Sequence, residues 1–219
     1  TNSMSSATGA SGGPGTLGGS RALDVPRIAP GSRIDVGLIA WTFATIAGRV
    51  ARTEPPNLFL TLGRHRRLFR GWLPFAAPLM PGGRLARRES ELVILRVAHR
   101  QGSTYEFDHH VRLGKRAGVT PDDLRRLTAS VDTASVDTVV GDNASSHGTT
   151  GGWSPREAAM LDAVDALIDQ EDLDDAQWRS IAAHLDPREL IELVMLVGHY
   201  RMLATAITVL RIQPDAPRG

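Results

Sequence analysis

Apolar positions recur at helical spacing along most of the chain, and Pro, Gly and capping residues mark the breaks between them. After an extended lead-in over 26–33, residues 36–52 read as a helix with a broad apolar side (Gly37-Leu38-Ile39-Ala40-Trp41-Thr42-Phe43-Ala44). Thr53-Glu54-Pro55-Pro56 stops it, and shorter helices are expected from Asn57 to Leu62 and from Arg64 to Pro78, the latter holding Trp72 and Phe75. Met80-Pro81-Gly82-Gly83-Arg84-Leu85 is a turn into a helix from Arg88 to Gln101, and a second helix follows the break at Gly102. Thr120 with Pro121 behind it opens a helix that fades by Ala129. Ser154-Pro155-Arg156-Glu157 is a capping box whose helix runs to about Asp169. Asp174 to His184 is the next, holding Trp178, and Asp186-Pro187-Arg188-Glu189 starts the longest, through about Ile212. That last helix is apolar on nearly all sides, which places it at the centre of the fold or at a subunit interface. Only Ser135 to Val140 alternates as a strand would, and it is short, so any β pairing is expected within 132–153. The pattern predicts an all-α domain of seven to nine helices.

The two helices flanking Gly102 break their own pattern. At about 100° per residue, Arg96, Glu89 and Arg100 form a polar wedge on the first, with Leu92, Ile94, Leu95 and Ala98 opposite. Glu91 falls in the middle of the apolar side, where a carboxylate is costly unless paired or hydrogen-bonded. On the second helix, Lys115, Asp108, Arg112, Tyr105 and Arg116 mark the polar face. Glu106 and His110, four residues apart, stack on the side continuous with Leu113 and Ala117. Three ionisable groups thus point inward from one hairpin. Buried acids beside an imidazole are a means of placing pKa values near neutrality. A satisfied structural network is the competing reading. Largely buried side chains with at least one direct carboxylate–imidazole hydrogen bond are expected.

Composition narrows the chemistry. The 219 residues contain no cysteine, so neither a disulfide scaffold nor a thiolate nucleophile exists. The net charge of +1 gives no overall signal for nucleic acid or a membrane surface. No uninterrupted apolar run reaches the roughly 18 residues of a membrane span. The Gly-, Ser- and Thr-rich start is not a signal peptide, and a cytoplasmic protein is expected. Residues 1–22 read as a disordered leader, 23–212 as one domain and 213–219 as a tail. A long loop over about 131–153, rich in Ser, Thr, Gly and Asp, reads as a mobile insertion or a lid. No phosphate-binding or nucleophile-elbow motif is present.

The strings Arg88-Glu89-Ser90-Glu91-Leu92-Val93-Ile94-Leu95-Arg96-Val97-Ala98 and Tyr105-Glu106-Phe107-Asp108-His109-His110 resemble the carboxymuconolactone decarboxylase family, whose other branch is the alkyl hydroperoxidase D-like proteins. The likeness runs from about Asn57 to Ile212 and rests on the order and spacing of the two strings, with Glu91 and Ser103 12 residues apart. It implies a helical fold with a buried hairpin and homo-oligomers, trimers or multiples of them, with a dimer as the other option. In the peroxidase branch a Cys-x-x-Cys pair does the chemistry. Ser103 and Glu106 stand at those positions here, while Glu91 and His110 match the family glutamate and histidine. Thiol peroxidase chemistry is therefore excluded by composition.

These observations lead to a candidate cofactor-independent lyase or isomerase, decarboxylase-like, acting on a small organic acid or lactone. His110, Glu106 and Glu91 are its acid–base residues. Tyr105, Ser103, Arg88 and His199 are candidate substrate-binding groups, with Arg88 or Arg201 as the cation for a carboxylate. His199 equally fits a buried histidine bonded to a backbone carbonyl, and a surface position is the default for both arginines. Glu91, Glu106 and His110 could geometrically form a two-carboxylate, one-imidazole metal triad, but a metal-free site is the expectation. No cofactor, nucleic-acid or membrane partner is expected. The alternative is a non-catalytic ligand-binding or oligomeric module of the same fold.

Overall fold

In a computed structural model, residues 25–129 and 152–218 are described. They form α1 (Arg33–Ala51), α2 (Asn57–Leu62), α3 (Arg66–Ala76), α4 (Arg87–Arg100), α5 (Thr104–Arg116), α6 (Pro121–Thr128), α7 (Pro155–Asp169), α8 (Asp175–Ala182) and α9 (Pro187–Leu210). Among the described residues the only β pairing is one isolated bridge between Thr53 and Pro217. The expected leader, and the insertion up to residue 151, lie outside the described residues. Trp153, at its end, packs beside Leu124 and Phe107, and the Arg126 guanidinium sits 4.5 Å over its ring.

Local chemistry sets the helix starts. Ser154, Thr120, Asp174 and Asp186 each cap their helix from the side chain, with a return bond from the third helical residue. Ser32 and Asp35 make the same box at α1, which therefore begins earlier than the apolar pattern suggests. Gly37, at φ 77°, breaks α1 after its first turn.

Helix α4 is the hub, packing on α5, α6, α7 and α9. Val93, Ile94 and Val97 meet Met160 and Val164 of α7, Ile181 of α8, and Leu193, Leu196 and Val197 of α9. Leu92 and Leu95 meet Val119, Leu127 and Leu161 on another flank. With neighbours on most sides, α4 has no solvent-facing polar wedge, which corrects the sequence reading of Arg96. Its guanidinium is buried and paired with Asp165 at 2.6 and 2.8 Å.

Helices α1 to α3 build a smaller aromatic layer in which Phe43, Phe59 and Phe69 meet edge to face. Helix α9 is apolar all round because one side is core and the other is bare: Ile191, Val194, Met195, Met202 and Val209 are exposed. Although they contain charged residues that interrupt the apolar run, α1 and α9 are long and apolar enough to cross a membrane by length and composition. Almost half of the relevant stretch of α9 is buried in the fold.

The expected tail is instead an ordered strap over 213–218. Asn57 holds Gln213 and Pro214 by their carbonyls, Asp215 accepts from the Asn57 backbone N–H, and Glu54 N–H bonds the Ala216 carbonyl.

Candidate functional site

Helix α4 carries Glu91 inward because its neighbours Leu92, Ile94 and Leu95 are fully committed to the core. The carboxylate has 0 % exposure. Gly102, at φ 64°, turns the chain so that α5 packs on α4 and brings His110 to it. Nδ1 of His110 lies 2.7 Å from Glu91 Oε2, the carboxylate–imidazole contact that the helical phase implied. With Glu91 ionised, the imidazole proton sits on Nδ1 and Nε2 is left as the basic atom.

The other Glu91 oxygen pairs at 2.7 Å with the Arg87 guanidinium, one turn earlier on α4, in an ion pair that misses hydrogen-bond alignment. Arg87 also touches the Met80 sulfur, and its side chain is 38 % exposed, so it links the buried acid to solvent.

Glu106, one turn before His110, is buried with neither carboxylate oxygen hydrogen-bonded. The Ser103 hydroxyl beside it is buried and equally without a hydrogen-bond partner. Burial pushes the Glu106 carboxyl up to about 7, against a smaller opposing pull from Ser103, which lies outside good hydrogen-bond geometry. Near neutral pH this group both gives and takes a proton.

Tyr200 of α9 closes the cluster. Its ring meets His110 edge-on at 5.1 Å and His199 at 5.4 Å. Burial, then the Glu91 and Glu106 charges, hold its phenol above the ordinary range.

Of the residues singled out by sequence, Glu91, His110, Glu106 and Ser103 lie on the facing sides of the α4–α5 hairpin. His199 is one ring away, separated from His110 by Tyr200. It stacks on Trp72 at 5.8 Å, its Nδ1 has no hydrogen-bond partner, and burial lowers it to about 4. Its Nδ1 thus makes no bond to a backbone carbonyl among the described residues.

Two candidates are elsewhere. Arg88 is not available to a substrate: it pairs with Asp123 at 2.7 Å and with Glu157 at 2.9 Å, clasping α6 and α7 to α4. Tyr105 donates to Asp215 at 2.8 Å and accepts from the Leu58 N–H, so it fastens the C-terminal strap. Arg201 is likewise occupied, by the Leu167 carbonyl and Glu171. His109 is mostly buried, 3.9 Å from Asp215. Burial, then His110 and Arg112, bring its imidazole down to about 3.

Sequence reading missed Arg87 and Tyr200. The Arg87–Glu91 spacing of four was a usable signal. Nothing local distinguished Tyr200 from a core aromatic.

Among the described residues no group of three or more His, Asp or Glu side chains has the geometry to hold a metal ion. Among the described residues, two hollows lie away from the hairpin cluster. One, of about 640 Å³, opens at the surface between α3 and α9, lined by His65, Arg67, Leu68, Gly71, Trp72, Phe75 and Met202. The other, between α4 and α7, has no room for a water. The first shares Trp72 and Phe75 with the surroundings of His199.

The model of the carboxymuconolactone decarboxylase family matches residues 66–138. No curated protein matches the sequence. A solved structure titled alkylhydroperoxidase AhpD core, an uncharacterized peroxidase-related protein from Ralstonia eutropha JMP134, superposes with TM-score 0.69 at 14% identity, over 89% of this chain and 97% of that one. A peroxidase-related protein from Silicibacter sp. TM1040 does so with TM-score 0.64 at 14% identity, over 87% and 94%. The apo debrominase Bmp8 gives 0.63 at 14% identity, over 87% and 93%. At such identities the likeness is one of fold.

Proposed function

Taking as premise a chain with a carboxymuconolactone decarboxylase family segment on the alkyl hydroperoxidase D-like fold, we propose that it is a cofactor-independent acid–base enzyme, a lyase or isomerase acting on a small organic acid or lactone in the cytoplasm. The observation that carries this reading is Glu106. A carboxyl group buried without a hydrogen bond is expensive and seldom kept for structure alone. Here it stands one turn from an imidazole whose Nδ1 is already held by Glu91.

In this reading His110 takes up and returns the proton at Nε2 while Glu91 holds its tautomer. Glu106, neutral at the start, is the acid. For decarboxylation, the C–C bond to the departing carboxylate breaks, carbon dioxide leaves, and the carbanion or enolate takes the Glu106 proton. For isomerisation the same pair removes a proton at one carbon and returns it at the next. Ser103 and Arg87 are the polar groups nearest to hand for orienting the substrate. Thiol chemistry, whatever the neighbours do, has no residue to run on here.

The bare apolar stripe of α9, from Ile191 to Val209, supports self-association as a homo-oligomer, which sedimentation of the purified chain would check.

The decisive experiment incubates the protein with a panel of small lactones and unsaturated or β-keto acids in deuterated water. Carbon dioxide release or deuterium incorporation is read for wild type and for His110→Gln. The expected outcome is turnover by wild type and a loss of about 10²–10⁴-fold in the variant, with the helical spectrum unchanged. A second reading, a non-catalytic member of the fold, is favoured by the position of the open hollow away from the hairpin. It predicts that no panel compound is consumed and that His110→Gln changes only stability.

A further inference from the structure

We infer that the end of the molecule formed by the N-terminal turns of α1 and α3 docks peripherally on an anionic lipid bilayer, lying on the surface and not spanning it. The overall charge of +1 conceals a segregation. Between residues 25 and 86 there are nine arginines, and the only acids are Asp35 and Glu54. Glu54 lies beyond the far end of α1.

The fold gathers several of these arginines. Arg64 reaches back to the Ala29 carbonyl at 2.8 Å, and Arg66 reaches the carbonyls of Ile34 and Asp35. Arg70 bonds the Arg66 carbonyl at 3.2 Å. These bonds fix the guanidinium groups through backbone oxygens, which leaves their charge uncancelled. Among the described residues the one carboxylate nearby, Asp35, pairs with Arg64 at 3.8 Å, also feels Arg66, and serves as the return arm of the α1 cap, so it offsets at most one of these charges. Arg33 and Arg67 make no ion pair among the described residues.

Apolar side chains stand out between the charges. Ile34 is 85% exposed, Leu38 66% and Leu68 62%. Arg66 holds the turn of Ile34 and so joins the starts of α1 and α3, with Leu68 in the first turn of α3 on the rim of the hollow that Phe75 and Met202 line. Gly37 supports this arrangement, since a Cβ there would come 3.3 Å from the Arg66 guanidinium. A desolvating knob of aliphatic tips ringed by arginines is what an acidic headgroup layer over hydrocarbon accepts: the tips enter the acyl boundary and the guanidinium groups bind phosphate. Nucleic acid would use the charge and leave Ile34, Leu38 and Leu68 without a role. A two-fold contact of this face with its own copy would set arginines against arginines.

The test sediments the full chain with vesicles of phosphatidylcholine mixed with phosphatidylserine, and with vesicles of phosphatidylcholine alone. The expected result is binding to the mixed vesicles only, abolished at roughly 0.5 M salt. Each arginine near the surface contributes about fivefold in partitioning, so Arg67→Glu with Arg70→Glu should weaken it at least tenfold. Ile34→Ser with Leu68→Ser should weaken it comparably while leaving the melting temperature in place, because both side chains are in water in the free protein. No sedimentation, or equal binding to neutral vesicles, overturns the inference. So does duplex-DNA binding lost with the arginines while vesicle binding ignores the Ile34 and Leu68 changes. A fall in the sedimentation coefficient of the vesicle-free Ile34→Ser, Leu68→Ser protein also overturns it, assigning the face to a subunit contact.

Discussion

Asp123 and Glu106 are both buried carboxylates within reach of α4, and the fold treats them oppositely. Burial would raise Asp123, but Arg88, the Thr120 backbone and hydroxyl, and Arg126 hold it far below the ordinary carboxylate range. It belongs to a set of clasps around α4. Arg88 joins Asp123 and Glu157, Arg96 joins Asp165, and Arg156 joins Glu89 and Glu189. Among the described residues Glu106 meets no cation and makes no hydrogen bond, and burial takes it up to about 7. The protein had arginines to spare for the clasps and placed none at Glu106. A carboxylate wired on every side fixes geometry, whereas one left unwired keeps a proton available.

The largest expected effect comes from breaking the wired side. Arg96→Met should destabilise the protein by about 3–5 kcal/mol, because it leaves Asp165 without its bidentate partner and the buried Leu127 carbonyl without its donor. Chemical denaturation measures it, and a loss below about 1 kcal/mol would mean the clasps are ornamental.

Glu106→Gln sharpens the comparison from the other side. A carboxyl raised above its unfolded value contributes stability that is complete below about 4.5 and is lost as pH rises through about 7. Removing the charge should therefore leave stability at pH 4 nearly unchanged and raise it at pH 8 by on the order of 1–3 kcal/mol. Melting curves across that range test it. A variant less stable at pH 8 than wild type would show that the ionised group is satisfied after all.

Tyr105→Phe removes the hydroxyl that holds Asp215 and should cost about 1–2 kcal/mol, read chiefly as faster hydrogen exchange over 213–218. If the strap's exchange is unchanged, Asn57 alone secures it.

The smallest effect is expected at His199. Its lowered imidazole contributes stability that is present above about 6.5 and lost as pH falls through about 4. His199→Phe, in a cage of Trp72, Phe75 and Tyr200, should thus be nearly neutral at pH 7 and gain about 1 kcal/mol at pH 5. A loss of turnover in this variant would instead tie His199 to the reaction.

Periodicity, caps and the Gly102 break were enough to specify the helices and to turn Glu91, Glu106 and His110 inward, because phase about a helix axis is a property of spacing alone. The lack of cysteine settled the absence of thiol chemistry in the same direct way. Partners at long range were not legible. Arg88 and Arg96 sit on one helix with charges that look alike in a helical wheel. Which of them is buried, and by which acids, depends on α6 and α7, more than 30 residues away in sequence. Tyr105 read as a substrate-binding candidate on a polar face until the C-terminal strap placed Asp215 beside it. Ionisation followed the same division: spacing showed that Glu106 enters the interior, but only the packed neighbourhood decided that no donor meets it there, and desolvation is a property of that neighbourhood.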